Sequence, residues 1–161
     1  AVKQAYAGGV PMGGILPAVD NAAALTFVVW AEKDPEGANL DRVQIIKGWV
    51  DASGTSHEKI YEVAASGDRV PDPATGKIPA VGNIVDVRNA TYANAIGAGR
   101  LASVWSDPDF DPAVEAFYYA RVIEIPTPRW TTYDAKKLGI AAPEPATLQE
   151  RAVSSAIWYA P

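Results

Sequence analysis

Four carboxylates lie close together in the segment SDPDFDPAVE at residues 106–115. Asp107, Asp109, Asp111 and Glu115 offer the kind of oxygen ligand that Ca²⁺ prefers in proteins. The spacing differs from that of an EF-hand, because Pro112 stands where that loop needs glycine. A structural explanation accounts for the whole pattern: Asp111 would cap a short helix whose first residue is Pro112. Asp107, Asp109 and Asp111 are therefore calcium candidates, and catalysis by these carboxylates alone is a further alternative.

The chain has one histidine, His57, and no cysteine. A metal centre with several histidines, a thiolate nucleophile and a disulfide therefore cannot form within these 161 residues. His57 follows the Gly-containing segment DASG, which predicts a hairpin turn, and we interpret it as an exposed strand residue.

A second candidate site lies in FYYARVIEIPTPRWTTYD at residues 117–134. Pro126 and Pro128 stiffen the chain and remove backbone donors, so the side chains that follow can be held rigidly. Arg129, Trp130 and Tyr133 are our candidates for a binding surface or interface, because tryptophan and arginine often anchor interfaces. Packing of Trp130 onto the core of its own domain is the alternative. The other tryptophans lie in predicted strands, where core packing is expected.

Short apolar stretches separated by glycine and proline predict the elements that position these residues. LTFVVWAEKD at 25–34 is a continuous apolar run, typical of a central strand covered on both faces. DRVQIIKGWV and HEKIYEVAA alternate with period two and predict a hairpin. DAKKLG and TLQERA predict short helices. About seven strands and so little helix predict a mainly β protein, an antiparallel β-sandwich of immunoglobulin-like or jelly-roll type with one or two short helices.

The composition favours one folded domain over residues 1–161, with 48% hydrophobic and 20% charged residues. The formal charge of −5 repels a phosphate backbone, and no basic run compensates for it, so nucleic acid is not expected as a partner. No apolar stretch approaches the roughly 20 residues of a membrane helix, so we expect a soluble chain.

Three segments carry a resemblance to a known family: DPEGANLDRVQIIKGWVD, DPDFDPAVEAFYYARVIEIPTPRWTTYDAKKLG and QERAVSSAIWYAP. Together they resemble the C-terminal region of a bacterial family catalogued as domain of unknown function 3604. Full-length members resemble metal-dependent hydrolases of the polymerase-and-histidinol-phosphatase (PHP) type, in which an upstream barrel holds the metal ions. The family pattern has proline where this chain has Ala156.

The resemblance implies that this chain is a C-terminal β-domain of a longer, periplasmic or secreted protein, in which residues 126–150 form an elaborated loop between the last two strands. Any divalent metal would then belong to the upstream catalytic domain, and this chain would hold no cofactor. We expect a non-catalytic accessory domain that packs on the upstream domain and shapes its substrate entrance. The alternative is a stand-alone module that binds a carbohydrate or a protein through Trp130 and Tyr133.

Overall fold

A computed structural model describes residues 2–18 and 24–161 of the chain. The described elements, in chain order, are α1 (Val2–Gly8), β1 (Ile15–Pro17), β2 (Thr26–Glu32), β3 (Leu40–Val50), β4 (Ser56–Ala65), β5 (Arg100–Ser106), β6 (Ala116–Glu124), β7 (Thr127–Pro128), α2 (Trp130–Leu138), β8 (Thr147–Leu148), β9 (Arg151–Val153) and β10 (Ile157–Ala160). The predicted mainly β fold with one or two short helices is confirmed, although α1 lies in a segment for which no helix is predicted.

The largest sheet has the order β1-β10-β6-β3-β4, and β9 also pairs with β6. All of its pairs are antiparallel except β1 with β10. The strands β9 and β10 both pair with β6, and residues 154–156 separate β9 from β10. At this interruption the Ser154 hydroxyl accepts a hydrogen bond from the Ala120 backbone N–H, so the serine replaces a lost backbone acceptor.

The strands β2 and β5 form a second, antiparallel sheet, which packs on one face of the large sheet. Alternate residues point toward this interface because side chains of a strand alternate between its two faces. Phe27 of β2 contacts Tyr118 of β6 with ring centroids 4.7 Å apart, and Tyr61 of β4 contacts Trp105 of β5 at the same distance. These aromatic contacts form the core of the sandwich.

The prediction of a central position for 25–34 was wrong. The most buried strand is β3, an interior strand of the large sheet between β6 and β4, whereas β2 lies in the two-stranded sheet and is exposed on alternate residues. Val28 and Trp30 face solvent there, and Trp30 packs instead under the guanidinium of Arg100, 4.9 Å from its ring centroid. An apolar run alone does not reveal how many of a strand's faces are covered.

Two local predictions also fail for a tertiary reason. The segment 147–150, which carries capping-box spacing, contains β8, because Thr127–Pro128 offers it a partner strand. The carboxylate of Asp111 accepts a bond from the Ala113 N–H, but the chain makes only a turn there. Within the described residues no helix is both long enough and apolar enough to span a membrane.

Candidate binding surfaces

The first carboxylate of the acidic segment is part of a buried ion pair. Asp107 is fully buried, and its Oδ2 accepts hydrogen bonds from Lys47 Nζ at 2.7 Å and from the hydroxyl of Tyr118 at 2.8 Å. Lys47 Nζ also donates to the carbonyl of Asp109. Burial, reinforced by the bond to Asp107, raises the pKa of Tyr118, so the phenol keeps its proton and donates. The pair fastens the 107–115 connection to β3 and β6.

The second carboxylate is bound by two other side chains. Asp109 Oδ2 accepts from Lys59 Nζ and, at 2.6 Å, from the hydroxyl of Tyr61. Both bonds hold the pKa of Asp109 below its usual range, and the bond from Lys59 has the larger effect. Asp111 is exposed and bonds its own turn. Within residues 2–18 and 24–161 no three His, Asp or Glu side chains are grouped as metal ligands would be, and the calcium hypothesis stays a prediction.

His57 lies beside this acidic segment on the exposed part of β4, as predicted. Its ring stacks on Trp49 with centroids 5.1 Å apart, and its Nε2 lies 2.6 Å from Asp51 Oδ2. The hydrogen bond from Ser53 is the largest cause that lowers the pKa of Asp51, and the bond from His57 is the second. The histidine therefore helps to fix the β3–β4 turn.

The opposite end of the sandwich carries Arg129, Trp130 and Tyr133, which we call the corner surface together with Leu138 and Ile140. The chain reaches it through Ile125, Pro126, Thr127 and Pro128, all of them buried. Thr127 and Pro128 pair with Leu148 and Thr147. The corner is therefore packed on the domain before the exposed residues begin.

The helix α2 presents the corner surface and starts at Trp130, earlier than the helix predicted from DAKKLG. Its buried side is fixed by Thr132, whose hydroxyl donates to the carbonyl of Ala146 at 2.6 Å, and by buried Ala135. Gly139 ends it in the left-handed conformation, as predicted. Trp130 is 66% exposed and Tyr133 46% exposed, three residues apart and hence on one side of the helix. The exposed Leu138 and Ile140 follow.

A second aromatic surface lies on the face of the large sheet that points away from β2 and β5. Directly paired residues share a face, and the register places Trp158 opposite Phe117, and Phe117 opposite Gly48. Tyr119 lies two residues along β6, with its ring within 11° of parallel to that of Phe117 and the centroids 6.3 Å apart. Trp158 lies 5.3 Å from Phe117 and is 52% exposed. We call these three aromatic residues the aromatic row.

Gly48 is necessary for this arrangement. A Cβ at this position would lie 2.2 Å from Cζ of Phe117, far inside van der Waals contact. The missing side chain lets the Phe117 ring occupy the space above β3, where it remains in contact with Trp158. A glycine within an interior strand is thereby explained by the close approach of another side chain.

The aromatic row borders an open groove of about 340 Å³. Its lining consists of the three aromatic residues, two arginines and three smaller uncharged residues. The arginines are Arg121 of β6 and the exposed Arg151 of β9, and the groove follows the interruption between β9 and β10.

A chain of polar contacts holds Arg121 in place and leads to the corner. Arg121 Nε donates to Gln44 Oε1 at 2.8 Å, and Gln44 Nε2 donates to Glu62 Oε1 at 2.7 Å. Glu62 also pairs with Arg42, whose Nε donates to the fully buried Asp41 at 3.0 Å. The same carboxylate of Asp41 accepts from Gln149, in the segment that returns from the corner, and lies 2.7 Å from Arg69. Asp41 thus links both surfaces.

The sequence predicts Arg129, Trp130 and Tyr133 as candidate residues at the corner, but it does not indicate the aromatic row. The apolar strand of Trp158 predicts core packing, which is wrong for its half-exposed ring, and nothing in the local pattern indicates that its partner Phe117 lies over a glycine. Phe117 and Tyr119 at alternate positions of β6, with Gly48 isolated in a strand, are the features that could have indicated a platform.

The comparisons with known proteins agree with the resemblance at the family level. The sequence model of a family described as protein of unknown function (DUF3604) matches residues 1–161. The chain belongs to this family. Neither the comparison with curated proteins nor that with solved structures gave a significant match.

Proposed function

We propose that this domain is a non-catalytic accessory β-domain, which docks through the corner surface onto the catalytic domain of a longer DUF3604 protein. The observation that supports it is the exposure of Trp130 and Tyr133 on the helix α2, which Thr132 and Ala135 hold to the domain. Exposed aromatic residues on a rigid support bind a partner with little loss of side-chain entropy, which is the usual property of an interface anchor.

The proposed partner is the upstream PHP-like hydrolase domain that the family resemblance implies. Because this chain has one histidine, a multi-histidine metal centre, with its divalent ion, would reside entirely in that upstream domain. Docking at the corner would place Arg129 and Trp130 beside the partner, where they would help to shape its substrate entrance. On the same resemblance we propose that the protein is bacterial and exported, which fractionation of the source cells would test.

Oxidative footprinting with mass spectrometry tests the docking proposal residue by residue. The 161-residue chain is compared with the same chain joined to the proposed upstream domain. We expect the labelling of Trp130 and Tyr133 to fall severalfold in the longer protein. Trp30 is the matched control, because it has the same side chain and a similar exposure of 57% on another face, and its labelling should not change. Equal labelling of Trp130 in both proteins would refute docking at the corner.

A hydrolase assay tests the non-catalytic role separately. With Mn²⁺, Zn²⁺ or Mg²⁺ added, the 161-residue chain should not hydrolyse phosphate esters, whereas the longer protein should. Turnover by the 161-residue chain that is lost in Asp109→Asn would instead establish an enzyme that uses carboxylates alone.

A binding module is the second candidate function. The aromatic row, with its groove, is the observation that favours it.

A further inference from the structure

The groove beside the aromatic row has a charge opposite to that of the chain. The chain carries a formal charge of −5, yet among the described residues that line the groove Arg121 and Arg151 are the only charged ones. On the same face, Glu58 and Glu62 belong to β4, which is separated from β6 by β3, and neither lines the groove. Glu62 is moreover bound to Arg42 and Gln44. The groove is therefore a cationic site on an acidic protein, and it favours an anionic ligand.

The guanidinium groups are free to contact such a ligand. Arg121 is held through Nε by Gln44, and its two terminal nitrogens make no hydrogen bond to any other described residue. Arg151 is exposed and likewise makes no side-chain hydrogen bond within the described part of the chain. Arginine presents parallel N–H groups that suit two neighbouring oxygens of an oxyanion such as carboxylate or sulfate. A fixed Arg121 would therefore bind the anion with little reorganisation.

The aromatic row can contact the apolar part of such a ligand. Trp158 is half exposed, so its ring can accept a flat apolar ring face from the ligand, while Phe117 beneath it is fixed by the space over Gly48. The groove is open to solvent and crosses three strands, β9, β6 and β10, which suits a section of an extended polymer better than an enclosed small molecule.

We propose that this groove binds an acidic oligosaccharide, with sugar rings against Trp158 and Phe117 and a carboxylate or sulfate group on Arg121 and Arg151. A sugar ring combines an apolar C–H face with substituents that can carry the anion. The phosphate backbone of a nucleic acid has a much higher charge density, and the net charge of −5 opposes its approach. This inference concerns a different surface from that of the docking proposal.

Isothermal titration calorimetry with matched polysaccharides tests the ligand class. The probes are polygalacturonate and its fully methyl-esterified form, and dextran sulfate and plain dextran, which distinguish carboxylate from sulfate as the anion. We expect binding to at least one charged probe, at least about tenfold weaker binding to its uncharged counterpart, and weaker binding as NaCl is raised. Polyglutamate is the control for charge without sugar rings.

Substitutions on two faces of the same protein test the location. Trp158→Ala and Arg151→Ala should each weaken binding by roughly tenfold or more, on the scale of one lost aromatic stack or charge-assisted contact. Trp30→Ala and Arg100→Ala are the matched controls, because this pair also combines an exposed tryptophan with an arginine, on the outer face of the other sheet. Thermal unfolding of each variant checks that the fold is retained, and Arg151→Glu provides a second variant that leaves the aromatic row intact.

Loss of binding in the Trp158 and Arg151 variants, with unchanged binding in the controls, would establish the site. Absence of binding to every charged polysaccharide at millimolar repeat-unit concentration would overturn the proposal. So would equal binding of polyglutamate, or equal losses in the Trp30 and Trp158 variants. The docking experiment measures the labelling of Trp130, whereas the binding experiment measures the effect of replacing Trp158 or Arg151. The failure of one proposal therefore does not refute the other.

Discussion

The corner surface and the aromatic row both expose a tryptophan, but their surroundings differ. At the corner, Trp130 stands on a helix beside Tyr133, and exposed Leu138 and Ile140 follow. On the sheet, the ring of Trp158 is tilted 47° to that of Phe117 and borders a groove that contains two arginines. A surface of exposed aromatic and aliphatic side chains is suited to burial against another protein surface, whereas aromatic rings beside two arginines are suited to a ligand that is apolar on one face and anionic at its edge.

The difference shows that exposure of an aromatic residue does not by itself define a function. The residues around it decide which partner it can accept, and here they come from distant parts of the chain. The groove combines β6 with β9 and β10, while the corner depends on contacts between residues 125–132 and 146–148. Four substitutions should change the stability of the two surfaces to different degrees.

Replacement of the buried Asp41 should disrupt both surfaces together. Asp41→Ala removes the acceptor of Arg42 and Gln149 and the ion-pair partner of Arg69. We expect a loss of about 3 to 5 kcal/mol in the free energy of unfolding, because the partly buried Arg42 and Arg69 lose their counter-charge. Urea unfolding measures the loss, and Asp41→Asn is the control that keeps the shape of the side chain. A loss below about 1 kcal/mol would show that this network does not join the two surfaces.

Gly97→Ala should affect the corner more than the aromatic row. Gly97 has a φ of +79°, and a Cβ there would lie 2.6 Å from Cγ2 of Ile125 and 2.9 Å from the carbonyl of Leu40. Left-handed strain and overpacking together should cost about 2 to 4 kcal/mol. Hydrogen exchange should increase first in residues 125–132. Gly76→Ala, also at positive φ but with open space around it, is the matched control for strain without a clash.

Gly48→Ala should affect the aromatic row and leave the corner unchanged. The added Cβ forces the ring of Phe117 away from β3, at a cost of about 1 to 3 kcal/mol. The near-UV circular dichroism of the aromatic residues should change, and binding of a charged polysaccharide should weaken with it. Hydrogen exchange of α2 should remain as in the unsubstituted protein. An unchanged spectrum would mean that Phe117 does not need the space over Gly48.

Thr132→Val should have the smallest effect, confined to the corner. It removes the hydroxyl that donates to the carbonyl of Ala146, while the Arg129 N–H still donates to that carbonyl. We expect a loss of about 1 kcal/mol. If α2 loosens, the protection of Trp130 in the longer protein should weaken, although no exposed residue has changed. Thr131→Val, on the next residue of the same helix, is the control.

The β-sandwich class and the β3–β4 hairpin could be predicted from the sequence. The single histidine excludes a multi-histidine site within the chain, and the local pattern also indicates the candidate residues at the corner. These follow from local alternation, from turn residues and from composition, which depend little on distant parts of the chain. Tertiary structure decided that β2 would be exposed on one face, that Asp107 and Asp109 would bind Lys47 and Lys59, and that 147–150 would pair with 127–128. It also placed Phe117 over Gly48 beside Trp158. Each of these outcomes depends on which strands become neighbours, and no periodicity within a single strand specifies its neighbours.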